Sequence, residues 1–208
     1  MNQLDSHTKV IHILKFKLKF SKEKVDKLSF FADSVIKFNK KYNLISKSSE
    51  KNIWSRHILD SAQLVKFIDF SSANGVSDLG SGAGFPGIVL GIYNPNYTFH
   101  VKLYEKSSVK CAFLRESIDN LKLKINVIEG NVNSMQIDSN YVVCRAFKKI
   151  PELLRISREN IQKPNKLIIL KGKTIEPEAK NAFIRENIRY KIFESITEVG
   201  SKILIIKN

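Results

Sequence analysis

Cysteine is scarce in this chain. Of 208 residues only Cys111 and Cys144 are cysteines. They form no C-x-x-C pair, so neither a disulfide framework nor a thiolate zinc site is expected. The four histidines are scattered, and catalysis is expected to need no metal. Long apolar runs are lacking too, and nothing approaches the ~20 residues of a membrane span. The stretch Val10 to Phe20 is basic and amphipathic, but Asp5 precedes it and it holds no arginine. A transit peptide is therefore not expected, no signal-peptide pattern is seen, and a cytoplasmic location is the expectation. Acids are in deficit, 20 Asp and Glu against 35 Lys and Arg, for a formal net charge of +15. That excess favours a polyanionic partner, because each phosphate neutralised releases counterions. A lysine-rich composition with solvated faces is the bland alternative.

The chemistry-bearing stretch is Asp78-Leu79-Gly80-Ser81-Gly82-Ala83-Gly84-Phe85-Pro86-Gly87. It follows a strand-like run and precedes the apolar segment Ile88 to Tyr93, so it is expected to be a turn between a buried strand and a helix. Glycines permit positive φ and bring backbone N–H groups against a ligand, and a helix start just beyond offers unpaired donors. Pro86 suits the first helical turn. Two frames fit. Gly82, Gly84 and Gly87 spell G-x-G-x-x-G, a dinucleotide fingerprint, with Glu105 at the distance of the acid that binds ribose hydroxyls. Asp78-x-Gly80-x-Gly82-x-Gly84, with the acid at a strand end, resembles motif I of class I S-adenosylmethionine methyltransferases. A merely structural tight turn is the third reading.

Residues up to about 70 read as helices. A first covers Leu4 to Phe20. A second is capped by Ser21 and carries the apolar face of Val25, Leu28, Phe31, Ala32, Val35, Ile36 and Phe38. A third opens at Ser48-Ser49-Glu50 and runs through Ile58, Leu59 and Leu64. On it Arg56, His57 and Asp60 lie close together. No activated Ser or Cys accompanies His57, so helix docking or substrate contact is expected there, not a nucleophile triad. From Gly75 strands and helices alternate. Strands are expected from Gly75 to Leu79, Thr98 to Tyr104, Ile125 to Ile128, Tyr141 to Cys144 and Lys166 to Leu170. Helices are expected from Gly87 to Tyr93, Ser107 to Leu121, Phe147 to Gln162 and Glu176 to Glu186, with the connection around Ser134 undefined. Two late strands, Tyr190 to Ser195 and Ser201 to Ile206, form a hairpin-like pair. The expectation is an α/β fold whose ligands sit at the carboxyl ends of parallel strands. A helical extension, 1–70, precedes a Rossmann-like domain, 71–208.

Several blocks agree with one family. Lys41-Tyr42-Asn43-Leu44, Arg56-His57-Ile58-Leu59-Asp60-Ser61, the loop Gly80 to Gly87, Lys110-Cys111-Ala112-Phe113-Leu114-Arg115, Arg145-Ala146-Phe147 and Leu170-Lys171-Gly172 resemble, in order, the bacterial 16S rRNA guanine-N7 methyltransferases of the RsmG type, also called glucose-inhibited division protein B. The resemblance implies a class I methyltransferase fold, with a mostly parallel sheet and a reversed last strand, and transfer of the S-adenosylmethionine methyl group to nitrogen 7 of a guanine in 16S rRNA. It implies that Gly80, Ser81, Gly82 and Phe85 line the cofactor pocket and that Glu105 is the ribose acid. Val132 and Asn133 fall at the adenine-side contact, and Arg145 is a further cofactor-site and substrate position. Lys171, Arg56 and His57 are implied substrate contacts. The implied partner is 16S rRNA or the small ribosomal subunit, with a monomer expected. The front piece, with 14 Lys or Arg against 7 acids over residues 1–70, is the candidate for holding rRNA phosphates.

The chain departs from the family pattern in three places. Asn131 and Asn133 stand where an arginine and a glutamate are usual, and Val89 where a proline is, which implies weakened cofactor binding. Guanine N7 has an in-plane lone pair and attacks a sulfonium methyl without prior deprotonation, so no general base is needed. The enzyme's work is alignment and electrostatic support. Consistently, the chain lacks the D/N-P-P-Y/F motif of adenine-N6 enzymes and the Pro-Cys of cytosine-C5 enzymes, and reads Cys144-Arg145-Ala146-Phe147 instead. Cys144 is expected to be a small strand-end residue. Phe85 and Phe147 are candidates for stacking on a base, Phe147 equally for core. Two alternatives stay open: an NAD(P)-dependent oxidoreductase, for which no catalytic Tyr-Lys pair is seen, and an RNA-binding module without methyl transfer.

Overall fold

The structure is a computed structural model that describes residues 3–71, 75–161, 166–172, 175–183 and 188–207. Seven strands form one sheet: β1 Val76–Leu79, β2 Val101–Glu105, β3 Ile125–Glu129, β4 Tyr141–Arg145, β5 Lys166–Lys171, β6 Tyr190–Glu194 and β7 Lys202–Lys207. Their order is β3-β2-β1-β4-β5-β7-β6. The first five run parallel, and β7 is antiparallel to both its neighbours, β5 and β6. The mostly parallel sheet with one reversed strand is thus as expected.

Both faces of this sheet are covered, which is why its strands are near-continuous apolar runs. Side chains alternate across the pleat. Val143, Ile168, Leu170, Ile203 and Ile205 enter a core shared with α5 (Gly87–Tyr93) and α6 (Ser108–Leu121). Val142, Cys144, Leu167, Ile169, Leu204 and Ile206 enter a second core with α7 (Ile150–Asn160) and α8 (Ile175–Phe183). The strand order reverses between β1 and β4, so the carboxyl ends of β1, β2 and β4 frame a crevice, the usual ligand position in such sheets.

The front helices are α1 (Gln3–His12) and α2 (Lys22–Asn39), followed by the short α3 (Lys47–Glu50) and α4 (Asp60–Ala62). Ser21 caps α2 as expected, its hydroxyl accepting the Lys24 N–H at 3.3 Å. Leu28, Phe31 and Val35 of α2 are fully buried in the same core as Phe85, Ile88 and Val89, so the front helices complete the cover of one sheet face.

Several boundaries depart from the expectation. The first helix stops at Lys17 after a π-helical turn over Ile13–Lys17, and Lys19 takes a φ of 62°. The third helix is not continuous. Between α3 and α4 lies a π-helical turn, Trp54–Leu59, and a 3-10 turn, Gln63–Phe67, follows. A 3.6-residue reading does not anticipate such a turn, which carries Arg56 and His57,. The undefined connection contains a 3-10 turn, Val132–Ser134. α7 begins three residues later than Phe147, which sits in the loop instead. The expected ends of α7 and α8 at Gln162 and Glu186 lie outside the described residues.

Candidate active site

The loop after β1 is pinned to β2 by two backbone bonds, Gly80 N–H and Ser81 N–H to the Tyr104 carbonyl at 2.9 and 3.1 Å. The Ser81 hydroxyl donates to the Asp78 carbonyl at 3.0 Å. Gly80 and Gly82 have φ of +71° and +56°, a region where a side chain is strained. A Cβ on Gly80 would lie 2.2 Å from the Phe147 ring, whereas one on Gly82 would meet nothing closer than the Gly80 oxygen at 3.8 Å. Gly80 therefore makes room for Phe147, and Gly82 leaves space open over the loop. Gly87 serves packing, since its Cβ would strike Leu103 at 2.1 Å. Pro86 caps α5 instead of sitting within its first turn.

Two acids hold this loop from below. Asp78 is wholly buried, and one carboxylate oxygen accepts the Gly87 N–H at 2.9 Å. Its other oxygen, Oδ1, has no hydrogen-bond partner among the described residues. Burial outweighs the Gly87 bond and pushes its pKa up to about 7,. Glu105, at the end of β2, accepts Gly82 N–H through Oε2 and Lys106 and Ser107 N–H through Oε1, all at 2.9 Å. Oε1 is thereby saturated with two donors, and Oε2, which accepts one, keeps lone-pair capacity for a further hydroxyl,.

Arg145 ends β4 and is the junction between sheet and front helices. Its guanidinium donates to the Arg56 carbonyl at 2.9 Å and to His57 Nδ1 at 2.5 Å, and it lies 3.9 Å from the Asp60 carboxylate. It also covers the face of Phe85, 5.3 Å from the ring centroid. Arginine has no acceptor, so Nδ1 of His57 must accept and the proton must sit on Nε2. Nε2 is buried without a partner among the described residues. Burial, then the Arg145 and Arg56 charges, pull the His57 pKa down to about 3, so the ring is neutral. Asp60 also accepts from Gln63, Ser195 and Thr197, which ties the β6–β7 connection to the same helical segment.

Two cavities open on either side of Gly80. The larger, about 380 Å³, is walled by Ser81, Gly82, Phe85, Arg145, His57 and Arg56 together with the Leu44–Ser46 turn. The smaller, about 130 Å³, lies between Tyr104, Val132, Asn133 and Phe147. S-adenosylmethionine fits this donor set. The open space over Gly82, the buried oxygens Asp78 Oδ1 and Asn133 Oδ1, which have no partner among the described residues, and Glu105 beneath Gly82 suit a ligand with an ammonium end, a ribose and an aminopurine. Of these residues Gly82 and Asn133 line the cavities, and Asp78 and Glu105 line neither. Asn131 caps the 3-10 turn by accepting the Asn133 N–H at 3.1 Å, so this departure keeps the loop ordered. Cys144 is fully buried and its thiol is pushed far up by burial, as suits a strand-end packing residue.

Of the sequence-derived residues, Gly80, Ser81, Gly82, Phe85, Arg145, Arg56 and His57 share the larger cavity, and Val132 and Asn133 the smaller. Lys171 stands apart from both sets of lining residues, its ammonium paired with Glu178. Arg56 reaches outward to Glu198 at 3.0 Å. Asp60, grouped in the sequence with Arg56 and His57 as a docking or substrate-contact cluster, does meet Arg145 together with them, whereas the 195–197 segment was missed as part of the site. The i, i+4 spacing of Asp60 from Arg56 was the signal that singled it out; for Ser195 and Thr197 there was none.

The family described as rRNA small subunit methyltransferase G matches residues 24–205. The ribosomal RNA small subunit methyltransferase G of Rickettsia bellii is 39% identical over 186 residues, 89% of this chain and 94% of the relative. That of Pelagibacter ubique is 36% identical over 191 residues, 89% of each chain. Among solved structures, the O-methyltransferase from Bacillus cereus in complex with SAH superposes with a TM-score of 0.62 at 10% identity, covering 100% of both chains. At that identity the likeness concerns the fold alone.

Proposed function

The chain belongs to the rRNA small subunit methyltransferase G family, and from this premise we propose that it methylates nitrogen 7 of a guanine in 16S rRNA with S-adenosylmethionine as cofactor. The observation that carries the reading is the pair of cavities meeting at Gly80, with a strand-end acid on each side of the loop.

S-adenosylmethionine supplies an electrophilic sulfonium methyl group when bound. Gly82 and its neighbours expose backbone to the amino-acid end, Asp78 Oδ1 offers an acceptor for an ammonium, and Glu105 Oε2 offers an acceptor for a ribose hydroxyl. Val132, Asn133 and Phe147 form the aminopurine side. The larger cavity has room beyond the loop for an unstacked base, between Phe85, His57 and the Leu44–Ser46 turn. No group of the site has to take a proton from guanine, because N7 attacks through its own lone pair. The residues contribute by alignment, and by the Glu105 carboxylate, which supports positive charge nearby.

Arg56, exposed at the rim, and the lysines of the front helices are the candidate phosphate contacts, with Lys171 a further one if its pairing with Glu178 opens. The protein acts as a monomer on this reading. Calorimetric titration tests the cofactor assignment: S-adenosylhomocysteine is expected to bind with one-to-one stoichiometry and NAD not at all. Binding of NAD in place of the homocysteine compound would overturn it.

A further inference from the structure

The larger cavity contains one polar group that neither the loop geometry nor the cofactor chemistry uses. His57 lines this cavity, and its Nε2, buried behind the wall, has no hydrogen-bond partner among the described residues. Its tautomer is fixed mechanically. Arg145 can only donate, and it occupies Nδ1 at 2.5 Å; the same guanidinium is itself held by the Arg56 carbonyl at 2.9 Å and faces Asp60. The imidazole ring rests on Phe85, centroids 5.0 Å apart, and Phe85 rests on Phe31 at 5.1 Å. A ring flip would set a C–H against the guanidinium and lose that bond. Nε2 is thus a donor with no means of becoming an acceptor, and a buried donor without a partner signals a partner supplied from outside.

Resting on the rRNA-methyltransferase reading, we infer that His57 selects guanine by donating from Nε2 to O6 of the target base, with Arg145 as the positioning residue that locks the donor. Guanine presents N7 and O6 as adjacent acceptors, whereas adenine presents N7 beside an N6 amino donor. A locked donor pairs with O6 and opposes the adenine amino group. It also leaves the N7 lone pair free for attack, which a donor aimed at N7 would block. A neutral ring adds no positive charge beside a purine that becomes cationic on methylation.

The test uses the full-length protein and small ribosomal subunits reconstituted with either guanosine or 2-aminopurine riboside at the methylated position; 2-aminopurine keeps N7 and lacks O6. Wild type is expected to favour guanosine in kcat/KM by on the order of 10–100-fold more than His57→Phe does, since sites built around a hydrogen bond reject analogues lacking it. His57→Gln, which supplies an acceptor for Arg145 and a donor for O6, is expected to restore most of that discrimination. S-adenosylhomocysteine affinity, measured by calorimetry, is expected to change less than about threefold in both variants, within the spread of indirect effects. Equal discrimination by wild type and His57→Phe overturns the inference while leaving the methyltransferase reading intact. So does a loss of cofactor affinity in His57→Phe that accounts for its defect. Absence of transfer to guanosine by the wild type overturns both.

Discussion

Gly82 has a φ of +56° with open space where a side chain would project. Valine there is strained by roughly 1–2 kcal/mol, the cost of a left-handed conformation for an L-residue, and its methyls enter the larger cavity. Gly82→Val is expected to unfold a few degrees lower than wild type and to lose at least tenfold in S-adenosylhomocysteine affinity; undiminished affinity would remove this loop from the pocket. Asp78 makes a pH-dependent prediction. Its folded pKa of about 7 lies above the ordinary carboxylate value of 3.8, so its contribution to stability is full below pH 3.8 and is lost as pH rises through 7. Asp78→Asn removes that loss and keeps an acceptor for Gly87. Relative to wild type, the variant is expected to gain several degrees in melting temperature between pH 5 and pH 8, and to bind cofactor less tightly. A difference in melting temperature that does not change with pH would show that Asp78 is not held protonated by burial. These glycines and acids were legible in the sequence, because positive φ and close approach can be met by few residue types. His57 was legible only as a substrate-contact candidate, since the bond that fixes its tautomer spans 88 residues of chain.

At the scale of elements, the front helices and the sheet are joined by one core. Leu28 and Phe31 of α2 and Ile58 of the π-helical turn are as deeply buried as Ile88 and Leu103. A shared core predicts a single cooperative transition. The one tryptophan, Trp54, reports from the π-helical turn, and far-ultraviolet circular dichroism reports from the whole fold. The two signals are expected to lose structure at the same denaturant midpoint. Leu28→Ala is expected to shift both together by about 2–5 kcal/mol of stability. Separated midpoints would establish residues 1–70 as an independent unit. The strands and α5 to α8 could be found in the sequence because their apolar runs are punctuated by glycines and polar turns. The irregular helix could not. Its π and 3-10 turns are set by Arg145 and by the 195–201 connection, which reach the segment from far along the chain.

Across the whole molecule the excess of 15 positive charges sets how substrate is captured. If several phosphates are neutralised, affinity for small-subunit rRNA is expected to fall by on the order of a thousandfold between about 50 and 200 mM salt, as counterion release requires. A flat salt dependence, measured by filter binding, would mean that recognition does not run through the basic surface. The charge was plain from composition, but not its route: acids pair with some of the cations, Glu178 with Lys171 and Glu198 with Arg56. The most direct measurement of the central claim is transfer of labelled methyl from S-adenosylmethionine to small subunits that lack N7 methylation, with the product base mapped by cleavage specific for 7-methylguanine. One strong cleavage at a single guanine of 16S rRNA is the predicted result. Label appearing on another base, or on another atom of guanine, would contradict it, as would no label from an enzyme that binds cofactor and subunits.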